Sequence, residues 1–123
     1  MQKITELGKV LRTLRVRKNE SQKEMSQNLD ITQAYLSAIE LGKRNPTQEF
    51  IRLLVHVYAI EGLEKENLMK AIALSVPNVD FDLDGASAIK KTTLYSMYTN
   101  QEILTDDVMM DIYRVLKDNN LEI

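Results

Sequence analysis

The residues of this 123-residue chain best suited to chemistry are amides, hydroxyls and cations. They concentrate between Arg15 and Arg44, with Gln22, Thr32, Gln33, Tyr35, Ser37, Glu40 and Lys43 between them. An amide such as Gln33 offers a donor and an acceptor side by side, and a lysine or arginine offers charge to a phosphate. In this grouping they are suited to recognising a partner. The rest of the chain offers no catalytic alternative. There is no Cys, which excludes disulfides, thiol catalysis and thiolate metal sites. His56 is the only histidine, has no second His or carboxylate at metal spacing, and reads as a surface or half-buried structural residue. Asp80-Phe81-Asp82-Leu83-Asp84-Gly85 imitates the opening of a calcium loop, but position twelve, which should be a bidentate Glu, is Lys91. That run reads instead as an extended connector with Val79, Phe81 and Leu83 packed inward. Met97, Met109 and Met110 read as core or interface. With no nucleophile elbow, phosphate-cradling Gly loop or acid/base pair, no enzyme, no cofactor and no metal site is expected.

The elements that must position the polar cluster follow from local signals. Apolar residues make up 44% of the chain, and only 4 Gly and 2 Pro interrupt it, so an all-α fold is expected. Ile4, Leu7, Leu11 and Leu14 share one face of a first helix that ends near Asn19-Glu20. Ser21 and Glu24 form a capping box that opens a second helix over 22–29, with Met25 and Leu29 inward. Asp30-Ile31 leaves room only for a tight turn. Thr32 caps a third helix that runs to about Leu41, with Leu36 and Ile39 buried, Gly42 closing it and Pro46 just beyond. Thr47 caps a fourth helix with Phe50, Leu53, Leu54 and Val57 as its stripe, and a fifth spans 63–75 before Pro77. Residues 76–85 are the internal boundary. Two more helices are expected over 86–98 and 106–118. Thr105 caps the second of these, Asp106 and Asp107 sit at the positive end of its dipole, and Leu104 staples onto Met109.

Two helices joined by so short a turn can lodge the second in the major groove of duplex DNA. The start of that second helix is short or polar and carries no acid: Thr32, Gln33, Ala34 and Ser37. Net charge is -2, but residues 1–50 hold nine Lys/Arg against six Asp/Glu and the remainder holds seven against twelve. A front at +3 and a back at -5 suggest DNA on one side and another partner on the other.

The segment resembles the lambda-repressor/Cro-like, or XRE-type, helix-turn-helix family over roughly residues 4–60. The resemblance rests on Ser21-Gln22-Lys23-Glu24, on Tyr35-Leu36-Ser37-Ala38-Ile39-Glu40 and on Gly42-Lys43-Arg44-Asn45-Pro46. It implies a five-helix DNA-binding domain. By the same resemblance, Gln33 reads a base, Thr32 and Ala34 meet a thymine methyl, and Ser37 and Ala38 lie one turn further along the reading face. Gln22 then holds a phosphate and supports the recognition helix, Tyr35, Lys43 and Arg44 touch the phosphate backbone, and Arg15 and Glu40 form a structural ion pair that joins the first helix to the third. Two positions depart from the family pattern. Asp30 stands where Gly is commonest, in a turn that asks for a left-handed residue. Ser26 stands where Ala is commonest, and its hydroxyl is expected to bond a carbonyl four residues back.

The expected organisation is a DNA-binding domain over 1–75, a connector over 76–85 and a small helical C-terminal extension over 86–123. Leu104, Val108, Ile112 and Leu116 form one stripe there, the expected dimer interface. The function expected is a sequence-specific repressor, of the kind that controls a phage or mobile-element promoter, binding an inverted repeat as a homodimer. The alternatives are the antitoxin of a toxin–antitoxin pair, with a toxin as protein partner for the acidic segment, and a protein-interaction module on the same fold. No apolar run approaches a membrane span and the N-terminus lacks a hydrophobic signal region, so a cytoplasmic location is expected.

Overall fold

The computed structural model describes residues 3–120; Met1, Gln2 and 121–123, the outer ends of the expected first and last segments, lie outside the described residues. The described residues form seven α-helices and one short 3-10 turn, and none is in a strand. The chain divides into two compact units, Met1–Asn78 and Val79–Ile123. No helix among the described residues is long and apolar enough to cross a membrane.

The first unit holds α1 (Glu6–Lys18), α2 (Gln22–Asn28), α3 (Gln33–Glu40), α4 (Gln48–Val57) and α5 (Gly62–Ser75). Four of the five start on a hydroxyl. Thr5, Ser21, Thr32 and Thr47 each accept from the backbone N–H three residues on. Each cap satisfies a donor that the helix leaves orphaned, and each contributes about 1 kcal/mol. At Ser21 the box is complete: Glu24 N donates to Ser21 Oγ at 3.0 Å and Ser21 N donates to Glu24 Oε1 at 3.2 Å. Ile4 falls ahead of the Thr5 cap and so outside α1.

Leu7, Leu11 and Leu14 of α1, Met25 and Leu29, Leu36 and Ile39 of α3, Phe50 and Leu54 of α4, Tyr58, Ile60 and Leu68 of α5 make one core. Burying a leucine so completely contributes about 1.5–3 kcal/mol. Val57, expected in the α4 stripe, is 39% exposed. It is the last residue of α4, and the chain turns there so that Tyr58 and Ile60 take the inward places. The Tyr58 hydroxyl donates to Glu20 Oε2 at 2.6 Å, and Asn28 Nδ2 donates to Glu20 Oε1 at 3.2 Å. One carboxylate thereby ties the end of α4 to the junction of α1 and α2.

The two ends of the unit meet at the start of α1. Leu7 N donates to Ser75 Oγ at 2.9 Å, and Ser75 Oγ donates to Ala71 O at 2.6 Å. Thr5 N and Thr5 Oγ1 both donate to Glu40 O, at 3.1 and 3.0 Å. The last carbonyl of α3 is thus fastened to the first turn of α1. The approach is close enough to require glycine: a methyl group on Gly8 would stand 2.5 Å from that Glu40 oxygen.

The second unit holds α6 (Ala88–Thr99), the 3-10 turn Gln101–Ile103 and α7 (Asp106–Asp118). Ser87 caps α6 and Thr105 caps α7. Neither helix contains a buried residue. The connector departs from expectation. Val79 and Phe81 are 70% and 63% exposed, and only Leu83 is half-buried. Period-two alternation buries a face only where an apolar surface lies alongside an extended chain. Here Asp84 N donates to Asp82 Oδ1 at 3.0 Å and Gly85 takes φ +74°, so the chain turns instead of running on.

Two outcomes follow. Gly8→Ala will lower the unfolding free energy by about 1–3 kcal/mol in urea titration, because the added methyl group meets the Glu40 carbonyl, a backbone atom, as well as the Ile4 side chain. Burial and the Glu20 hydrogen bond raise the Tyr58 hydroxyl above its ordinary pKa of 10.0. Its contribution to stability is therefore full below that value and falls as pH rises above it, because folding then holds a proton that the unfolded chain releases. Tyr58→Phe will remove this component, so the wild type will lose its advantage over the variant on going from about pH 9 to about pH 11.

Candidate nucleic-acid interface

The turn between α2 and α3 decides how α3 is presented. Asp30 adopts the left-handed conformation, with φ 54°. Its N–H donates to Gln27 O at 3.1 Å and Ile31 N donates to Ser26 O at 3.0 Å. Ser26 is buried, and its hydroxyl donates to Lys23 O at 2.7 Å. The acceptor lies three residues back, not four. The side chain stays small and satisfied where the two helices pack.

A line of hydrogen bonds then runs from the interior to the surface. Arg15 Nη1 donates to Glu40 Oε1 and also reaches Met25 Sδ at 3.4 Å. Glu40 is 2% exposed and Arg15 8%. Gln22 Nε2 donates to Glu40 Oε2 at 2.6 Å. Gln33 Nε2 donates to Gln22 Oε1 at 3.1 Å. Polarity propagates along this line. A carboxylate accepts only, so Gln22 must turn its nitrogen inward and its oxygen outward. Gln33 must then give a nitrogen to Gln22, which leaves its own oxygen and a second N–H for a partner. Among the described residues no buried side-chain nitrogen or oxygen lacks a hydrogen bond.

The remaining residues of the expected reading face lie on or beside α3. Thr32, Gln33 and Ala34 are exposed, and Ser37 and Ala38 are half-buried one turn along. The Thr32 hydroxyl is engaged as the α3 cap, accepting from Tyr35 N at 3.0 Å. Tyr35 is half-buried and meets Phe50 edge-on, with centroids 6.4 Å apart. Gly42, with φ +74°, closes α3 and turns the chain so that Lys43 N and Arg44 N donate to Ala38 O. Both of those side chains are exposed just past the helix end.

The basic front is narrower than its charge count. Arg15 is spent on Glu40, and Lys9 lies 3.1 Å from Glu6. Arg17 grips Glu64 of α5 through two bonds, of 2.8 and 3.1 Å. That pairing raises the Arg17 guanidinium and holds the Glu64 carboxyl below its ordinary value. The cations left exposed around α2 and α3 include Lys23, Lys43 and Arg44. Sequence reasoning gave Gln22 a part in supporting the recognition helix but not its bond to buried Glu40, and it missed Thr5 and Gly8 as the fastening of α3. The start of the chain gave one usable signal, a glycine inside an otherwise good helix, which marks close approach by another backbone.

The buried pair generates a test. Arg15→Met will cost about 3–5 kcal/mol in chemical denaturation, because Glu40 stays buried with its charge uncompensated. Arg15→Met combined with Glu40→Leu will recover most of that loss, since apolar residues replace both charges at once.

Residues 11–64 match the family model described as Helix-turn-helix. No curated protein and no solved structure matches the chain. The matched span runs from the middle of α1 to the first turn of α5, and so contains α2, the turn, α3 and the line of hydrogen bonds behind Gln33. The match covers 54 of the 123 residues and supports, for that span, a helix-turn-helix domain of the Cro/C1-type, XRE-like kind, and with it a DNA-binding transcription regulator.

Proposed function

We propose that the protein is a repressor that reads an inverted repeat as a homodimer and occludes the promoter within it. The observation that supports this reading is the hydrogen-bonded line behind Gln33. With one N–H held by Gln22, the free oxygen and second N–H of Gln33 match the N6 donor and N7 acceptor of adenine in the major groove. Thr32 and Ala34 offer methyl groups beside it for a thymine, and Ser37 and Ala38 extend the face. Gln22, Tyr35, Lys43 and Arg44 contact phosphates and set register. Arg15 and Glu40 work from inside, as the anchor of the line.

A single helix reads only a few base pairs. Useful specificity therefore requires two copies on half-sites about 34 Å apart. The apolar, net acidic second unit is the surface that joins them. Such a regulator acts in the cytoplasm, and control of a phage or mobile-element promoter is the setting that the family resemblance suggests.

Selection of bound duplexes from a random pool, at about 0.15 M salt to suppress the nonspecific phosphate contribution, will enrich an inverted repeat. Gln33→Ala will lose about 1–3 kcal/mol of discrimination at one base pair in each half-site. Lys43→Ala will weaken binding to all sequences alike and reduce the slope of log K against log salt by about 1. Absence of any enriched sequence would remove the repressor reading.

A further inference from the structure

The second unit has open apolar surface away from the stripe expected on α7. Of that stripe, Leu104, Ile112 and Leu116 are half-buried and Val108 is exposed. Elsewhere, Phe81 of the connector and Ile89 of α6 are 63% and 74% exposed. Both line a cleft of about 450 Å³ that Lys90, Thr93 and Leu94 complete. Ile89 and Thr93, like Lys90 and Leu94, stand four residues apart, so one side of α6 forms a wall and the connector adds Phe81. Small-molecule sites commonly enclose roughly 300–1,000 Å³, with a mostly apolar lining and a few polar groups. This cleft offers three apolar side chains, one ammonium and one hydroxyl.

Both polar groups are unspent. Among the described residues the Lys90 ammonium has no ion pair or hydrogen bond, and the backbone N–H of Lys90 donates to Ser87 Oγ at 3.2 Å. The Thr93 hydroxyl has no partner either. Residues 79–120 hold eight Asp/Glu against four Lys/Arg, so Lys90 does not lack a carboxylate for want of acids. The acids nearest to Phe81, Asp80 and Asp82, do not line the cleft, and Asp82 Oδ1 is held by Asp84 N at 3.0 Å. On α7, Asp111 lies 3.2 Å from Arg114, and Lys117 sits over the Tyr113 ring. Lys91 is exposed and stands outside the lining.

The lining selects its occupant. A neutral hydrocarbon would strip water from the ammonium and give nothing back. A bare inorganic anion would leave the apolar walls in water. A carboxylate joined to an apolar body answers both: its oxygens accept from Lys90 Nζ and Thr93 Oγ1, and a ring packs against Phe81. Five lining residues are too few for a macromolecule, whose stable interfaces take roughly 20–30 residues a side. We infer that the cleft between the connector and α6 binds a small aromatic monocarboxylic acid, with its carboxylate on Lys90 and Thr93 and its ring among Phe81, Ile89 and Leu94. This gives the second unit a ligand of its own, and the inference does not depend on the reading of DNA.

Titration of the full chain with phenylacetate, followed by amide-resolved NMR, tests this. Saturable shifts will appear at Phe81, Ile89, Lys90, Thr93 and Leu94, with a Kd below about 1 mM. Lys90→Gln and Phe81→Ala will each weaken binding by about tenfold or more, at exposed positions where helix content by circular dichroism stays as in the wild type. Lys91→Gln will leave binding unchanged. Phenylacetamide, the neutral analogue, will bind the wild type about tenfold more weakly and will not distinguish it from Lys90→Gln. The inference is overturned if no saturable shift reaches the cleft, if acid and amide bind alike, or if Lys91→Gln weakens binding as much as Lys90→Gln. Cleft resonances that move on dilution of the chain and ignore phenylacetate would place a second copy there and overturn it as well.

Discussion

The buried carboxylate of Glu40 is the constraint on which the first unit depends. A charge placed where only 2% of its residue is exposed must be compensated on all sides. Arg15 supplies the opposite charge from α1 and Gln22 supplies an amide from α2. One side chain at the end of α3 thereby fixes three helices relative to each other. The backbone of the same residue does a second job, accepting twice from Thr5. Buried ion pairs add little net stability compared with apolar residues of similar volume. The return here is orientation, because an acceptor-only group at the base of the line dictates which way each amide above it must face.

Specific recognition demands that kind of order. A free glutamine can flip its amide and present donor or acceptor with little preference. Gln33 is denied that freedom by Gln22, and Gln22 is denied it by Glu40. The ordering of the Gln33 amide is completed during folding, which on the proposed function reduces the entropy lost on association. Several of the neighbouring cations are occupied within the fold. Arg17 is held by Glu64 and Lys9 by Glu6. On the proposed function, a modest cationic surface keeps the nonspecific component of affinity low, so that a larger share of binding comes from base edges.

Much of the fold was legible in local patterns. The capping residues Thr5, Ser21, Thr32 and Thr47 act within three residues of themselves, and Leu7, Leu11 and Leu14 repeat at the helical period, so helix starts and core faces follow from short windows. The ends of stripes are less readable. Val57 fits the α4 period but falls where the helix stops, and Tyr58 takes over its place. Alternation over Val79, Phe81 and Leu83 has no meaning without a surface to bury it against. The site divides the same way. The exposed start of α3 at Thr32, Gln33 and Ala34 follows from the helix-turn-helix spacing, whereas the bridging by Gln22 joins positions 11 and 18 residues apart. Nothing in a linear pattern gives the direction of an amide, and nothing near Gly8 names the carbonyl it must admit.

The central claim is that the order of Gln33 is imposed through Gln22. The most direct measurement is a double-mutant cycle of Gln22→Ala and Gln33→Ala, read as discrimination between the selected base pair and a substituted one at the position that Gln33 reads. If Gln22 works by orienting Gln33, its removal will cost discrimination in the wild type and little more once Gln33 is gone, with a coupling of about 0.5–3 kcal/mol. Effects that add to within about 0.5 kcal/mol would contradict the account, leaving Gln22 and Gln33 as independent contacts and the buried carboxylate as a matter of folding alone.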